Sequence, residues 1–304
     1  MIDGFSGAFM ALRGWFLALL IMPAGPVDAG GRDVAVLVRK QVPVYERFAD
    51  RFAQACDCSA RLIDISGDPN DVADAVRALR PGAVVAVGRS GLRLAVERLA
   101  DLPLIHALVL NPQTLLPSGL SATPGAPLNV SPAESLALLR RIAPRVRTVA
   151  VVHDPRRTRV DGAARAARDL GLSLVVTPVE DVSGALKAVD DALETADAIL
   201  LVPDRTALRP EVLDHVLLRG LERRVPVVGF AAKHVRRGAL LALSVTPEQV
   251  AVEAARLAER RLAGELAPVL GRRRLNLSLN LRTAARLGLQ VPEDLRQRAD
   301  DLVR

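Results

Sequence analysis

TVAVVHDPRRTRVDGAARAARDLGLSLVVTPVEDVSGALKAVDDALETADAILLVPDRTALRPEVLDHVLLRGLERRVPVVGF, residues 148–230, decides how the chain folds. Four short apolar runs alternate with three helical stretches. The runs are Val149-Ala-Val-Val-His153, Ser173-Leu-Val-Val-Thr177, Ala198-Ile-Leu-Leu-Val202 and Val225-Pro-Val-Val-Gly229. Unbroken by polar alternation, they read as parallel strands covered on both faces. The stretches between them, about 160–170, 183–194 and 210–223, have helical spacing. Gly171 closes the first, where a left-handed cap costs glycine little. This alternation predicts right-handed βαβ units in a doubly wound sheet. Ligands of such sheets sit beyond the carboxyl ends of the strands. Those ends are Asp154-Pro-Arg-Arg157, Asp204-Arg-Thr206 and Phe230-Ala-Ala-Lys233.

The same order of elements occurs once before. Val34-Ala-Val-Leu-Val38, Arg61-Leu-Ile-Asp-Ile65, Ala83-Val-Val-Ala-Val87 and Leu102-Pro-Leu-Ile-His106 are strands, with helices over about 44–55, 71–79 and 91–99. A repeat at this scale means two similar α/β lobes rather than one long sheet. Residues 111–129, rich in proline, glycine and serine, suit a crossing between the lobes. Ser131-Pro-Ala-Glu134 and Thr246-Pro-Glu-Gln249 then read as capping boxes with proline at the first helical position. Gly238 to Ser244 reads as a further strand, and Leu275 to Leu279 alternates like a half-buried one. A last helix starts near Thr283, and Pro292 ends the regular pattern.

With 304 residues, half of them apolar and a quarter charged, the chain holds two ordinary globular domains. The net charge of +7 comes from arginine in an alanine- and leucine-rich sequence. It has no zinc-ligand pattern, basic helix or aromatic stacking motif to make it a nucleic-acid binder. Cys56 and Cys58 lie two apart, which predicts small packing residues rather than a bridge. The run Trp15-Phe-Leu-Ala-Leu-Leu-Ile-Met22 follows Arg13 and precedes Val27-Asp-Ala29. That layout predicts a secretory signal over 1–29, with translation starting at Met1 or Met10 and a mature end near Gly30. The alternative is a buried N-terminal helix.

Enzyme chemistry finds little support. The four histidines, His106, His153, His215 and His234, have no metal-ligand spacing. Gly88-Arg-Ser-Gly91 lacks the spacing of a nucleophile elbow, and no phosphate-binding G-x-x-x-x-G-K-[ST] loop occurs. No catalytic residue, metal or cofactor is expected.

From Ser131 to Val303 the chain resembles the substrate-binding proteins of ABC importers, in particular the tryptophan/tyrosine-type group. The resemblance rests on Val149-Ala-Val-Val-His-Asp-Pro155, Ala198-Ile-Leu-Leu-Val-Pro-Asp204, Val225-Pro-Val-Val-Gly229, Gly238-Ala-Leu-Leu-Ala242 and Leu279-Asn-Leu-Arg-Thr-Ala-Ala-Arg-Leu-Gly-Leu289. The first lobe shares the layout with weaker motifs. The resemblance implies a periplasmic, two-lobed protein of the type I periplasmic-binding-protein kind. It would work as a monomer, close on a small molecule and present it to an ABC permease at the inner membrane. Three hinge crossings are implied as well. They would divide the chain into lobe 1, residues 30–128 plus 238–270, and lobe 2, residues 129–237 plus 271–304.

The sequence departs from that family at the expected contact loops. Arg205 stands beside Asp204 in place of a polar residue, and Ala231-Ala-Lys-His234 replaces a turn bearing serine and an acid. Arg39-Lys40, Arg89 and Arg156-Arg157 add positive charge to other rims. The candidate contacts are Lys40, Arg89 and Asn111 from the first lobe, and Asp154, Arg156, Asp204, Arg205 and Lys233 from the second. Such a cleft suits an anionic or zwitterionic molecule, because guanidinium groups pair well with carboxylate and phosphate. The alternative for these arginines is to point into solvent, and for Asp154 it is to cap the turn that follows its strand. The alternative functions are an exported ligand sensor or accessory protein without transport, and an enzyme on an α/β scaffold.

Overall fold

The computed structural model describes residues 33–265 and 274–304. The expected signal segment over 1–29 lies outside the described residues.

Two sheets form, as the repeated order of elements requires. The first contains β1 (Asp33–Val38), β2 (Ser59–Asp64), β3 (Ala83–Val87), β4 (Leu104–Ala107) and β5 (Gly125–Ala126). All are parallel, in the order β2-β1-β3-β4-β5. Helices α1 (Pro43–Ala55), α2 (Pro69–Ala78) and α3 (Gly88–Arg98) make the crossovers. Side chains alternate between the faces of a strand. Val34, Val36 and Val38 therefore pack on Phe48 and Phe52 of α1, while Ala35 and Leu37 pack on Val72 and Val76 of α2 and Leu92 of α3. Burial on both faces is why β1 and β3 read as continuous apolar runs.

The second sheet contains β6 (Thr148–His153), β7 (Ser173–Pro178), β8 (Ala198–Leu200), β9 (Val227–Gly229), β10 (Leu241–Ser244), β11 (Asn276–Asn280) and β12 (Asp301–Val303). Its order is β12-β11-β10-β9-β8-β6-β7, parallel except for the antiparallel pair β10–β11. Val149 and Val151 of β6 face α4 (Pro132–Ile142) and α5 (Asp161–Asp169); Ala150 and Val152 face α6 (Val182–Thr195) and α7 (Pro210–Glu222). Gly171, at φ 65°, caps α5 as its sequence position requires.

The remaining helices are α8 (Ala232–Arg236), α9 (Pro247–Leu262), α10 (Leu281–Arg286) and α11 (Glu293–Arg298). Of these, α9 leaves the second lobe and joins the first. Val250, Ala251, Ala254, Ala255 and Ala258 recur at helical spacing and are fully buried beside Phe48 and Phe52. Small side chains on that face let α9 lie close against α1.

Several expectations are corrected. Residues 238–244 belong to the second lobe, not the first, because β10 is hydrogen-bonded on both edges, by β9 and by β11. A strand so placed cannot leave its sheet, so the crossing falls at Val245–Thr246. The strand β11 is buried rather than half-buried: its polar positions Ser278 and Asn280 are covered as well, and Asn280 is satisfied inside by the Val235 carbonyl and the Thr283 N–H. Regular structure continues past Pro292, which caps α11 and leads on to β12. Cys56 and Cys58 form a disulfide. The bend between α1 and β2 sets their Cα atoms 5.1 Å apart, inside the range that a bridge spans. Ser131 caps α4 through the Ala133 N–H without a reciprocal bond from Glu134, whereas Thr246 and Gln249 make the full capping box.

Candidate functional site

The carboxyl ends of both sheets open onto one cleft with a volume of about 490 Å³. Its first-lobe wall starts with Val44 and Tyr45 of α1. Arg89 follows in the first turn after β3, and the loop after β4 supplies Leu108, Leu110, Asn111 and Thr114, with Leu128 beside it. The second-lobe wall is Arg156, Arg157 and Thr158 after β6, and Pro203 and Arg205 after β8.

Local sequence explains the shape. Gly88 adopts φ 71°, which lets the chain turn from β3 straight into α3. A Cβ there would run into the Tyr45 hydroxyl, so the glycine also makes room for the tyrosine ring over the start of α3. In the loop after β4, Leu108 and Asn111 sit at φ 54° and 51°. Left-handed backbone costs a non-glycine residue about 1–2 kcal/mol, and both of these residues line the cleft. Asn111 is held in place reciprocally. Its N–H donates to Asn129 Oδ1 at 2.8 Å, and Asn129 Nδ2 donates to Asn111 Oδ1 at 2.7 Å. Asn111 Nδ2 reaches the Pro203 carbonyl at 3.5 Å, linking the two lobes behind the cleft.

The two acids play a supporting part. Asp154 and Asp204 are 0% and 1% exposed, below the cleft floor rather than on it. Asp154 accepts from Arg156 Nε at 2.9 Å and Arg156 Nη2 at 3.1 Å, from Arg157 Nε at 3.1 Å, and from the Thr206 hydroxyl. The Arg156 hydrogen bonds, opposed by burial, hold its carboxyl down at about 2. Asp204 accepts from the N–H groups of Asp154, Thr206 and Ala207 at 3.0, 2.9 and 2.8 Å. One buried carboxylate thus folds the loop after β6 around two arginines, and the other folds the loop after β8. His153 supports the same loop through its Nδ1, 2.8 Å from the Thr158 carbonyl.

Of the eight candidate contacts, Arg89, Asn111, Arg156 and Arg205 come together on the cleft. Asp154 and Asp204 lie beneath it as described. Lys40 does not line it; its backbone N–H is tied to Asp64 at the end of the edge strand β2, and the start of α1 occupies the rim instead. Lys233 is also outside: α8 buries His234 and Val235 and leaves the lysine exposed. Arg89 and Arg205 are exposed, and among the described residues no carboxylate or carbonyl holds either guanidinium. Sequence reading missed Tyr45, Leu108, Leu110 and Thr158. Tyr45 had one usable signal, being the single tyrosine of the chain and placed in the first turn after a strand end. Among the described residues no group of three or more His, Cys, Asp or Glu is arranged to hold a metal ion, and no helix is long and apolar enough to cross a membrane.

Residues 70–303 match the family model described as ABC transporter substrate binding protein. No curated protein matches the chain. Among solved structures, a protein from Streptococcus pneumonia described as an ABC domain in complex with L-Trp is similar at 19% identity. It has a TM-score of 0.63 and covers 90% of this chain and 100% of its own. A ligand-free, open substrate binding protein with adhesive properties from Clostridium difficile gives 16% identity and a TM-score of 0.70, covering 90% of this chain and 99% of its own. A conserved domain protein from Vibrio cholerae gives 20% identity and a TM-score of 0.60, over 89% and 99%. At such identities these structures share the two-lobed fold.

Proposed function

The chain belongs to the ABC transporter substrate binding protein family, and from that premise we propose that it closes its two lobes on a small anionic or zwitterionic molecule and delivers it to an ABC permease. In this reading the protein is exported to the periplasm and works there as a monomer. The cleft carries the reading. It lies at the strand ends of both sheets, has the volume of a small-molecule pocket, and bears on each wall a guanidinium that no carboxylate or carbonyl among the described residues holds. Lobe closure would strip water from Arg89 and Arg205 together. A charge-assisted hydrogen bond made in such a place contributes about 1.5–3 kcal/mol, enough to bias the lobes towards the closed state when the molecule is present. Binding, not turnover, suits the site, because Asp154 and His153 are both committed to holding the loop after β6.

Protein recovered from the cell envelope tests the proposal. Mass spectrometry after denaturation should reveal one small acid in near-stoichiometric amount. Calorimetry with that molecule should show Arg205→Ala binding at least tenfold more weakly than Arg260→Ala, a change on a helix of the first lobe remote from the cleft. Equal affinities would remove the arginine from the site. A protein that carries no molecule and binds none would count against a binding role altogether.

A further inference from the structure

We infer that the cleft selects an acid with an apolar body and no free ammonium group: the body rests on the first-lobe wall and the anionic group lies between Arg89 and Arg205. This rests on the binding role proposed above and narrows its ligand class.

The inference starts from a count of acceptors. An ammonium group needs two or three oxygen partners, and a buried one without them is strongly disfavoured. No carboxylate side chain lines the cleft among the described residues. The nearest two, Asp154 and Asp204, are buried, and their oxygens are occupied by Arg156, Arg157, Thr206 and backbone N–H groups. Three of the neutral acceptors are also engaged within the protein. Asn111 Oδ1 takes the Asn129 amide, and the Asn111 carbonyl takes the Thr114 hydroxyl. The Pro203 carbonyl takes the Thr158 hydroxyl and the Asn111 amide. A zwitterion would therefore bring a cation into a cleft with four guanidinium groups and, among the described residues, no carboxylate on its lining.

The two walls differ in character, and this gives the ligand its orientation. Three of the five second-lobe residues on the cleft are arginines. The first-lobe wall is mostly aliphatic and aromatic, with Tyr45, Leu108 and Leu110 facing the cleft. Its one charged residue is Arg89 in the first turn of α3, a helix with no side-chain N-cap, so that its first N–H groups and its positive end add to the guanidinium. Arg156 and Arg157 share one buried carboxylate, which leaves Arg89 and Arg205 as the pair free to take an anion.

Matched probes that differ in the ammonium group test the inference: 3-phenylpropionate against L-phenylalanine, and indole-3-propionate against L-tryptophan, by calorimetry on the full mature protein. The expected result is that at least one acid binds tenfold or more tightly than its amino acid. Arg205→Gln and Arg89→Gln should each weaken that acid tenfold or more, with unchanged thermal melting because both side chains are exposed and no described residue pairs with them. An amino acid that binds as well as its acid overturns the inference, as does recovery from the purified protein of a molecule bearing a free amine. Failure of all four probes also overturns it if the recovered molecule is neutral or has no apolar body; the binding role then stands. Only a protein that binds no probe and carries no molecule would remove that role as well.

Discussion

Gly125 illustrates how a single residue constrains the first lobe. It belongs to β5, the last strand of its sheet, and the His106 ring of β4 lies where a Cβ would stand. His106 is 4% exposed, and its Nδ1 has no hydrogen-bond partner among the described residues. The ring packs directly over the Gly125 Cα, so the space it needs comes from the glycine. Gly125→Ala should overpack this contact and lower stability by about 1–3 kcal/mol, read as a shift of the urea midpoint with an unchanged slope. An unchanged midpoint would mean that the ring relocates freely, against the close packing seen. Asp154 shows the opposite case, in which a charged residue appears exposed in sequence and is buried in the structure. Its placement at a strand end suggested a cleft contact, but which way the side chain turned depended on where Arg156, Arg157 and Thr206 came to lie.

At the scale of elements, α9 is the piece whose position matters most. It follows β10 of the second sheet, yet packs on α1 of the first, so the chain changes lobes within two residues, Val245 and Thr246. Thr246 begins the helix there with a full capping box: its side chain accepts the Gln249 N–H at 3.2 Å, and the Gln249 side chain accepts the Thr246 N–H at 2.9 Å. Gln249 Nε2 also donates to Asn276 of β11 at 2.8 Å, tying the helix start back to the lobe it left. Thr246→Ala should cost about 0.5–2 kcal/mol, the usual loss of an N-cap. Hydrogen exchange should quicken at the first turn of α9 before any change in β6 or β8. A uniform effect over both lobes would argue against a local role for the cap.

For the whole molecule, buried histidines make stability depend on pH. Burial lowers His106 from 6.5 to about 4, and burial with the nearby Lys233 and Arg237 charges lowers His234 to about 4 as well. Between those values the unfolded chain takes up protons that the folded chain refuses, so folding weakens as pH falls from 6.5 towards 4. Asp154 acts lower down: its carboxyl sits at about 2 instead of 3.8, so its stabilising share is present above 3.8 and is lost as pH falls towards 2. Urea unfolding followed by circular dichroism should give midpoints that drop steadily from pH 7 to pH 4. A flat profile over that window would show that the two histidines are hydrated.

The sequence by itself determined the two α/β lobes, the parallel strands of 148–230, the glycine and threonine caps and the strand ends where the cleft lies. Each of these follows from local periodicity or turn chemistry, which a chain carries whatever its neighbours are. Tertiary structure decided the rest, because it depended on contacts between residues far apart. Whether β10 stayed in the second sheet depended on the partners at its two edges, and whether Cys56 met Cys58 depended on the bend between α1 and β2. Likewise, the first turn of α1 rather than Lys40 came to line the cleft. Above all, the sequence placed acids and arginines together at the strand ends with no sign of which would face the ligand. Folding buried the acids beneath hydrogen bonds to their own loops, because a carboxylate removed from water must be fully paired, and left Arg89 and Arg205 open to the cleft.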